Sequence, residues 1–318
     1  MDRMNSVAAT AGAALDQLLG EPPTSWHPVA RYGSLMQRVE RHLYADRRLP
    51  GVALAMTGVG LGITVGLSLR RAIGPSMATL VTTMICAAGR MLDDEAVRVS
   101  RLLHGGDLHS ARQRVRTLVG RNTDHLDEHE ISRAVIESVA ENCVDAITAS
   151  LFWGTIGGAP AVLAHRAVNT LDAMVGRRDG RYQRFGWASA RLDDVANLLP
   201  ARLTAASVAA VRPRRAGEIW RVVRRDAHRH PSPNGGVIEA AFAAALGVRL
   251  GGVNRYGDDV EDRGFLGTGA PPAPPDIAAA IRLRRHATAA FALVLLAVEA
   301  GARAVRSRGP TSPRGCDR

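Results

Sequence analysis

Residues 131–174 read ISRAVIESVAENCVDAITASLFWGTIGGAPAVLAHRAVNTLDAM, and the way this stretch folds decides the rest. At 100° per residue, Glu137, Glu141, Asp145 and Thr148 share one arc of a helix, with Ser138 and Asn142 beside it. Val135, Ile136, Val139, Cys143, Ala146 and Ile147 occupy the opposite arc. Carboxylates on one stripe repel unless something pairs them, so arginines, a divalent cation or a solvated groove must accompany them. A plain water-facing helix would carry the same stripe. The immediate run into Leu151-Phe152-Trp153 and a Gly/Ala/Pro-rich apolar segment favours a functional reading. Acids at the mouth of such a segment are costly to desolvate.

Working outward, composition limits the possibilities. The chain has 318 residues, 46% of them hydrophobic but only 4% aromatic. Its mean hydropathy is −0.03. Any membrane segments are therefore built from Ala, Gly, Val and Leu, which pack closely through small residues. The net charge is +11, and all 41 Lys+Arg positions are arginine. The absence of lysine excludes a Walker A lysine, a pyridoxal-phosphate (PLP) Schiff base and a lysine nucleophile. Abundant arginine suits phosphate and carboxylate partners. It is spread over many segments without interleaved aromatics, so nucleic acid is not an expected partner. Cys86, Cys143 and Cys316 lie far apart, which gives no expectation of a disulfide, an Fe–S cluster or a zinc site. Residues 1–20 lack the pattern of a cleavable signal.

The expected class is all-α: a multi-pass integral membrane protein of Gly/Ala-rich helices joined by polar helical loops. Apolar segments are expected at 6–19, 51–69, 73–89, 146–164, 195–211 and 289–304, the last containing Glu299. Together they make one membrane-embedded domain, 1–304, with a disordered tail at 305–318. The arginine-rich loops 31–48 and 90–131 flank the 51–89 hairpin on one side, expected to be cytoplasmic. A full span at 146–164 would place Arg177, Arg178, Arg181 and Arg184 on the other side, whereas a re-entrant segment would remove that conflict.

Several polar positions stand out among these segments. His27 precedes Pro28 in a proline-rich loop, where a structural role competes with a catalytic one. Arg166, Asn169, Thr170 and Asp172 present one helical face, and Asp193-Asp194 open a second acidic helix or merely complement its dipole. The loop Ser232-Pro233-Asn234-Gly235-Gly236 enters a helix at Val237–Leu246 with Glu239 in its first turn, a setting able to hold phosphate. Residues 247–257, with Asn254 and Tyr256, read as another glycine-rich loop, and 258–276 as an irregular Pro-rich linker.

Five of these segments occur together in a recognisable order. They are Asp16-Gln17-Leu18-Leu19-Gly20-Glu21-Pro22-Pro23 with His27-Pro28-Val29; Glu137-Ser138-Val139-Ala140-Glu141-Asn142 with Asp145; Arg166 to Gly176; Asp193-Asp194 with Asn197 and Pro200-Ala201-Arg202; and Ser232 to Gly236 continuing to Leu250-Gly251-Gly252. The chain closely resembles the CobD/CbiB family, the adenosylcobinamide-phosphate synthases of cobalamin biosynthesis, over roughly residues 10–303.

The resemblance implies a multi-pass cell-membrane enzyme that joins adenosylcobyric acid to (R)-1-aminopropan-2-ol phosphate as an amide. It implies ATP as co-substrate and Mg2+, with other late corrinoid-pathway membrane enzymes as further partners. An amide ligase needs carboxylates for magnesium, arginines for phosphate and a base for the ammonium. On residue type, Glu137, Glu141, Asp145 and Asp172 are the catalytic candidates. Glu141, Asp145, Asp193 and Asp194 are the metal candidates. Arg166, Asn169, Ser232, Asn234, Glu239, Asn254 and Tyr256 are candidates for substrate and phosphate, with His27 and Asn142 beside them. Two other classes share parts of this pattern. A magnesium-dependent membrane transferase would use Asn142…Asp145 and Asn169…Asp172 on a prenyl diphosphate, and a corrinoid scaffold or transporter would need no chemistry of its own.

Overall fold

The structure, a computed structural model, describes residues 5–20, 27–120, 122–177, 180–256 and 259–307, with side chains described for all of these except 255–261 and 306–307. It is an all-α membrane protein in which one short β-hairpin interrupts the helices. Three helical stretches are long and apolar enough to cross a membrane: Arg48–Ile73, Glu128–Val175 and Pro274–Val305.

The middle stretch is not a straight span. Helix α7 (Glu128–Asn142) starts at a capping box: the Asp127 carboxylate accepts the Glu130 N–H at 2.8 Å, and the Glu130 carboxylate accepts the Asp127 N–H at 2.9 Å. A π-helical turn follows over Cys143–Thr148, and Thr148 Oγ1 donates back to the Cys143 carbonyl at 3.1 Å. Helix α8 (Ala149–Val175) then breaks at Gly158, whose φ of 63° and ψ of −155° belong to a region open essentially to glycine. Pro160, with no N–H to give, reinforces the break. The chain reverses there. A Cβ placed on Gly154 would sit 3.2 Å from Val162 Cγ2. Asn169 and Asp145 also converge on one point, Asn169 Nδ2 donating to Asp193 Oδ1 at 3.3 Å while Asn197 Nδ2 bridges Asp193 Oδ2 and Asp145 Oδ1, although a straight helix would hold the two about 36 Å apart. Residues 145–169 thus form a helical hairpin, the backbone shape that a re-entrant segment would have.

Helix α3 (Arg48–Ile73) packs along the returning arm through small residues. A side chain on Gly62 would strike the Leu163 carbonyl at 2.7 Å, and one on Gly66 would strike Pro160 Cα at 2.5 Å. This is the close backbone approach that small residues permit between membrane helices. Helices α1 (Ser6–Leu19) and α4 (Pro75–Ala87) also pack against α8 and each other. The outer arm is tied to α9 (Trp187–Ala196) by Trp153 Nε1, which donates to the Ala196 carbonyl at 3.2 Å.

A larger apolar core lies among α5 (Gly89–His104), α6 (Leu108–Val115), α7, α10 (Leu198–Val211), α11 (Ala216–Asp226), α12 (Gly235–Leu246) and α13 (Pro274–Ser307). Ile131, Val135, Val139, Phe242 and Leu283 are among its fully buried members. The basic patch anticipated at 31–48 lies mainly in α2 (Pro28–Leu43), which begins with proline at a position where no N–H is required.

Three expectations change. The glycine-rich loop and Pro-rich linker at 247–276 contain an antiparallel hairpin instead, β1 (Leu250–Tyr256) paired with β2 (Asp259–Leu266). The glycines that suggested a loop form an irregularity in the ladder, Gly251 at φ 77° and Gly252 at φ 84°. The apolar run 195–211 is divided, because α9 ends at Ala196 and α10 begins at Leu198. The last helix continues to Ser307, past the expected start of the tail, and its buried Glu299 accepts the Ser6 N–H at 2.7 Å where α1 begins. Residues 308–318 and Trp26 lie outside the described residues.

Candidate active site

The hairpin brings acids from distant parts of the chain together. Asn197 joins Asp145 of the π turn to Asp193 of α9, and Asp172 of α8 and Glu141 are near enough for their charges to act on Asp145. Asn197, wholly buried between α9 and α10, gives its amide hydrogens to Asp145 Oδ1 at 3.2 Å and Asp193 Oδ2 at 3.1 Å. Asn169 Nδ2 donates to Asp193 Oδ1 at 3.3 Å. Because two carboxylates fix its NH2, Asn197 offers its oxygen to His165 Nε2 at 2.8 Å, so that nitrogen carries the imidazole proton. Among the described residues, no arginine forms an ion pair with Asp145, Asp172 or Asp193. Asp194 alone has one, Arg191 at 3.0 Å. Burial pushes the Asp193 carboxyl above the ordinary range, and the neighbouring Asp194 charge adds to this against the hydrogen bonds from Asn169 and Asn197.

Half-buried carboxylates that find only amide donors have an unmet need for positive charge. The donor set consists of oxygens, which fits a hard divalent cation such as Mg2+. Arg166 stands at the edge, its Nη1 donating to Asn169 Oδ1 at 3.4 Å. The buried His27 is near enough to feel it. Burial lowers the imidazole's pKa, and the Arg166 charge lowers it further.

A second group adjoins the first. Glu141, at the end of α7, meets Glu239 of α12 and His230 from the loop before α12. His230 Nε2 lies 3.4 Å from Glu239 Oε1 and 3.7 Å from Glu141 Oε1. Burial lowers the His230 pKa, opposed by the Glu141 charge and aided by Arg263. Asn234 links the two groups, its Nδ2 donating to the Asp194 carbonyl at 2.8 Å while Arg202 Nη1 donates to its Oδ1 at 3.1 Å.

The other anticipated residues have partners of their own. Glu137 accepts the Gly251 N–H at 2.8 Å, and Arg133 Nη2 donates to the Val253 carbonyl at 3.2 Å and Asn254 Oδ1 at 3.3 Å. Glu137 and Asn254 thus anchor the β-hairpin to α7. Asn142 turns back on its own helix, donating to the Ser138 carbonyl at 2.9 Å. Ser232 Oγ accepts the N–H groups of Asn234 at 3.3 Å and Gly235 at 3.1 Å, so a phosphate there would compete with an existing cap. The side chain of Tyr256 lies outside the described residues. Sequence reasoning missed His230, Asn197, His165 and Arg263 as site residues. Asn197 sits one turn after Asp193 and so carried a positional signal.

A helical membrane protein with an acid-lined site on a helical hairpin is the class these features define. The chain belongs to the CobD/Cbib protein family, whose model matches residues 9–284. It is 42% identical over 301 residues to cobalamin biosynthesis protein CobD of Mycobacterium tuberculosis, covering 91% of this chain and 94% of that protein. Its identity to the protein of the same name from Rhodobacter capsulatus is 41% over 293 residues, covering 88% and 93% of the two chains. For the Geobacter metallireducens protein it is 44% over 271 residues, covering 80% and 84%. No solved structure matches.

Proposed function

We propose that this protein acts in cobalamin biosynthesis as an ATP-dependent amide ligase, joining (R)-1-aminopropan-2-ol phosphate to the free propionate of adenosylcobyric acid. Family membership supports the pathway. The observation that carries the chemistry is the group Asp145, Asp172 and Asp193, brought together without an arginine partner among the described residues. The substrate carboxylate takes the terminal phosphoryl group of ATP, releasing ADP. The amine then attacks the acyl carbon, the C–N bond forms and phosphate leaves. Mg2+, when bound, supplies charge neutralisation for the phosphoryl oxygens.

Asp145, Asp172 and Asp193 would hold that ion, with Asn169 and Asn197 fixing the orientation of their carboxylates. Glu141, 39% exposed, opens the neighbouring polar group toward this site. Arg166 and Arg202 border the site, where guanidinium groups pair with phosphate oxygens. The site is assigned to the cytoplasmic side of the cell membrane, where ATP is available.

The test is conversion by the full chain purified in detergent, with adenosylcobyric acid, aminopropanol phosphate, ATP and magnesium, followed by mass spectrometry. Amide product with stoichiometric ADP is the expected result. Corrinoid binding without product or ATP turnover would exclude ligation by this chain alone and leave a scaffolding role.

A further inference from the structure

Beside the aspartate group lies a site of different donor chemistry. We propose that Glu141, His230 and Glu239 bind a divalent transition ion of the Mn2+, Co2+ or Zn2+ class, at a position separate from the all-oxygen aspartate group. One ligand atom from each of the three lies within 4.8 Å of the others. They come from the end of α7, the loop before α12 and the second turn of α12, so the fold gathers them from three separate pieces of chain. The imidazole distinguishes the site, since Mg2+ prefers oxygen ligands and keeps its waters, whereas nitrogen with two carboxylates suits the later divalent ions.

Three further features fit a built site. First, the ring is oriented for coordination through Nε2. Arg263 Nη1 stands 3.1 Å from Nε2, and a guanidinium can only donate, so Nε2 is the nitrogen that keeps its lone pair, with Glu239 Oε1 3.4 Å and Glu141 Oε1 3.7 Å away. The proton then resides on Nδ1, 3.2 Å from the Ser232 carbonyl, the backbone support usual for a metal-bound histidine. The Ser232 N–H also approaches Nδ1, at 3.0 Å, and Arg263 decides between the two tautomers.

Second, space has been left beside the ring. A Cβ on Gly235 would lie 2.7 Å from His230 Cε1 and 3.1 Å from Glu141 Oε1, so a side chain there would crowd both ligands. Third, His230 and Glu239 are each 3% exposed while Glu141 is 39% exposed, which provides a way in for an ion. Arg263 holds the position on Nε2 that the ion would take, so the two compete.

The proposal does not depend on the ligation reading, because its test uses metal alone. Chelator-treated full chain in detergent is titrated with Co2+ and followed by visible absorption, and Mn2+-loaded protein is examined by pulsed EPR for coupling to nitrogen. One equivalent of Co2+ should bind at least about tenfold more tightly than Mg2+, with 14N coupling in the Mn2+ spectrum. His230→Gln should abolish both signals, Asp193→Asn should retain them, and Arg263→Gln should tighten binding several-fold. The EPR measurement on unaltered protein decides the matter even if His230→Gln does not fold. Absence of nitrogen coupling, cobalt affinity no better than magnesium affinity, or weaker binding in Arg263→Gln would overturn the assignment.

Discussion

Two buried polar groups lie on opposite sides of the π turn, and they are built on opposite principles. Between α1, α5 and α13, Asp93 Oδ2 accepts from Gln17 at 3.1 Å, from Arg284 at 2.6 Å and from Arg285 at 2.7 Å. Asp16 beside it accepts the Gly89 N–H at 2.7 Å. Asp93 and Arg284 are each 1% exposed, so charge is matched by charge inside the fold. On the other side, among the described residues, Asp145 and Asp193 have amide donors only and the Asp172 carboxylate has no hydrogen-bond donor. The balanced group holds helices together. The unbalanced one keeps an electrostatic deficit that a bound cation or substrate would fill, and that deficit distinguishes a site from a strut.

The comparison breaks most visibly at Asp93. Asp93→Asn leaves Arg284 buried without its counter-charge and should cost about 3–5 kcal/mol in denaturant unfolding. Turnover per folded molecule should be retained. Replacing the pair together, Asp93→Leu with Arg284→Met, should recover most of that loss.

Asp193→Asn should do the reverse, lowering ligation on the order of 100-fold while raising thermal stability. The sign follows from the raised carboxyl pKa of Asp193. Its contribution to stability is full below the unfolded value near 3.9 and is lost as pH rises through the higher folded value. At neutral pH the charge therefore opposes folding, and its removal relieves the cost. A lower melting temperature for Asp193→Asn would place it with the struts.

Smaller effects sharpen the picture. Gly158→Ala forces a φ of 63° on a residue with a Cβ and should cost about 1–2 kcal/mol, read as a lower melting temperature. Glu137→Gln weakens the bond to the Gly251 amide by about 1 kcal/mol. Hydrogen exchange at that amide should quicken, with little change in turnover.

Much of this arrangement was legible in residue order. The 100° periodicity put Glu141 and Asp145 on one face, and Gly157-Gly158-Ala159-Pro160 marked where an apolar segment could reverse. The same periodicity could not show that Glu137 also takes the Gly251 N–H. A uniform wheel assumes an unbroken α-helix, while the π turn at Cys143–Thr148 changes the rotation between Glu137 and the residues beyond it. The β-hairpin was hidden because glycines at Gly251 and Gly252 serve equally in a loop and in a distorted ladder. His230 was hidden for another reason. Its partners Glu141 and Glu239 lie on two different helices, and nothing local announces that a loop histidine will meet them.

The most direct test of the central claim is the turnover of Asp145→Asn, measured beside unaltered protein in detergent with corrinoid acid, amine phosphate, ATP and magnesium. The melting temperature is recorded on the same samples. The charge-deficit account predicts a loss of amide formation on the order of 100-fold or more, with a melting temperature that is unchanged or higher. Full turnover by folded Asp145→Asn would contradict it.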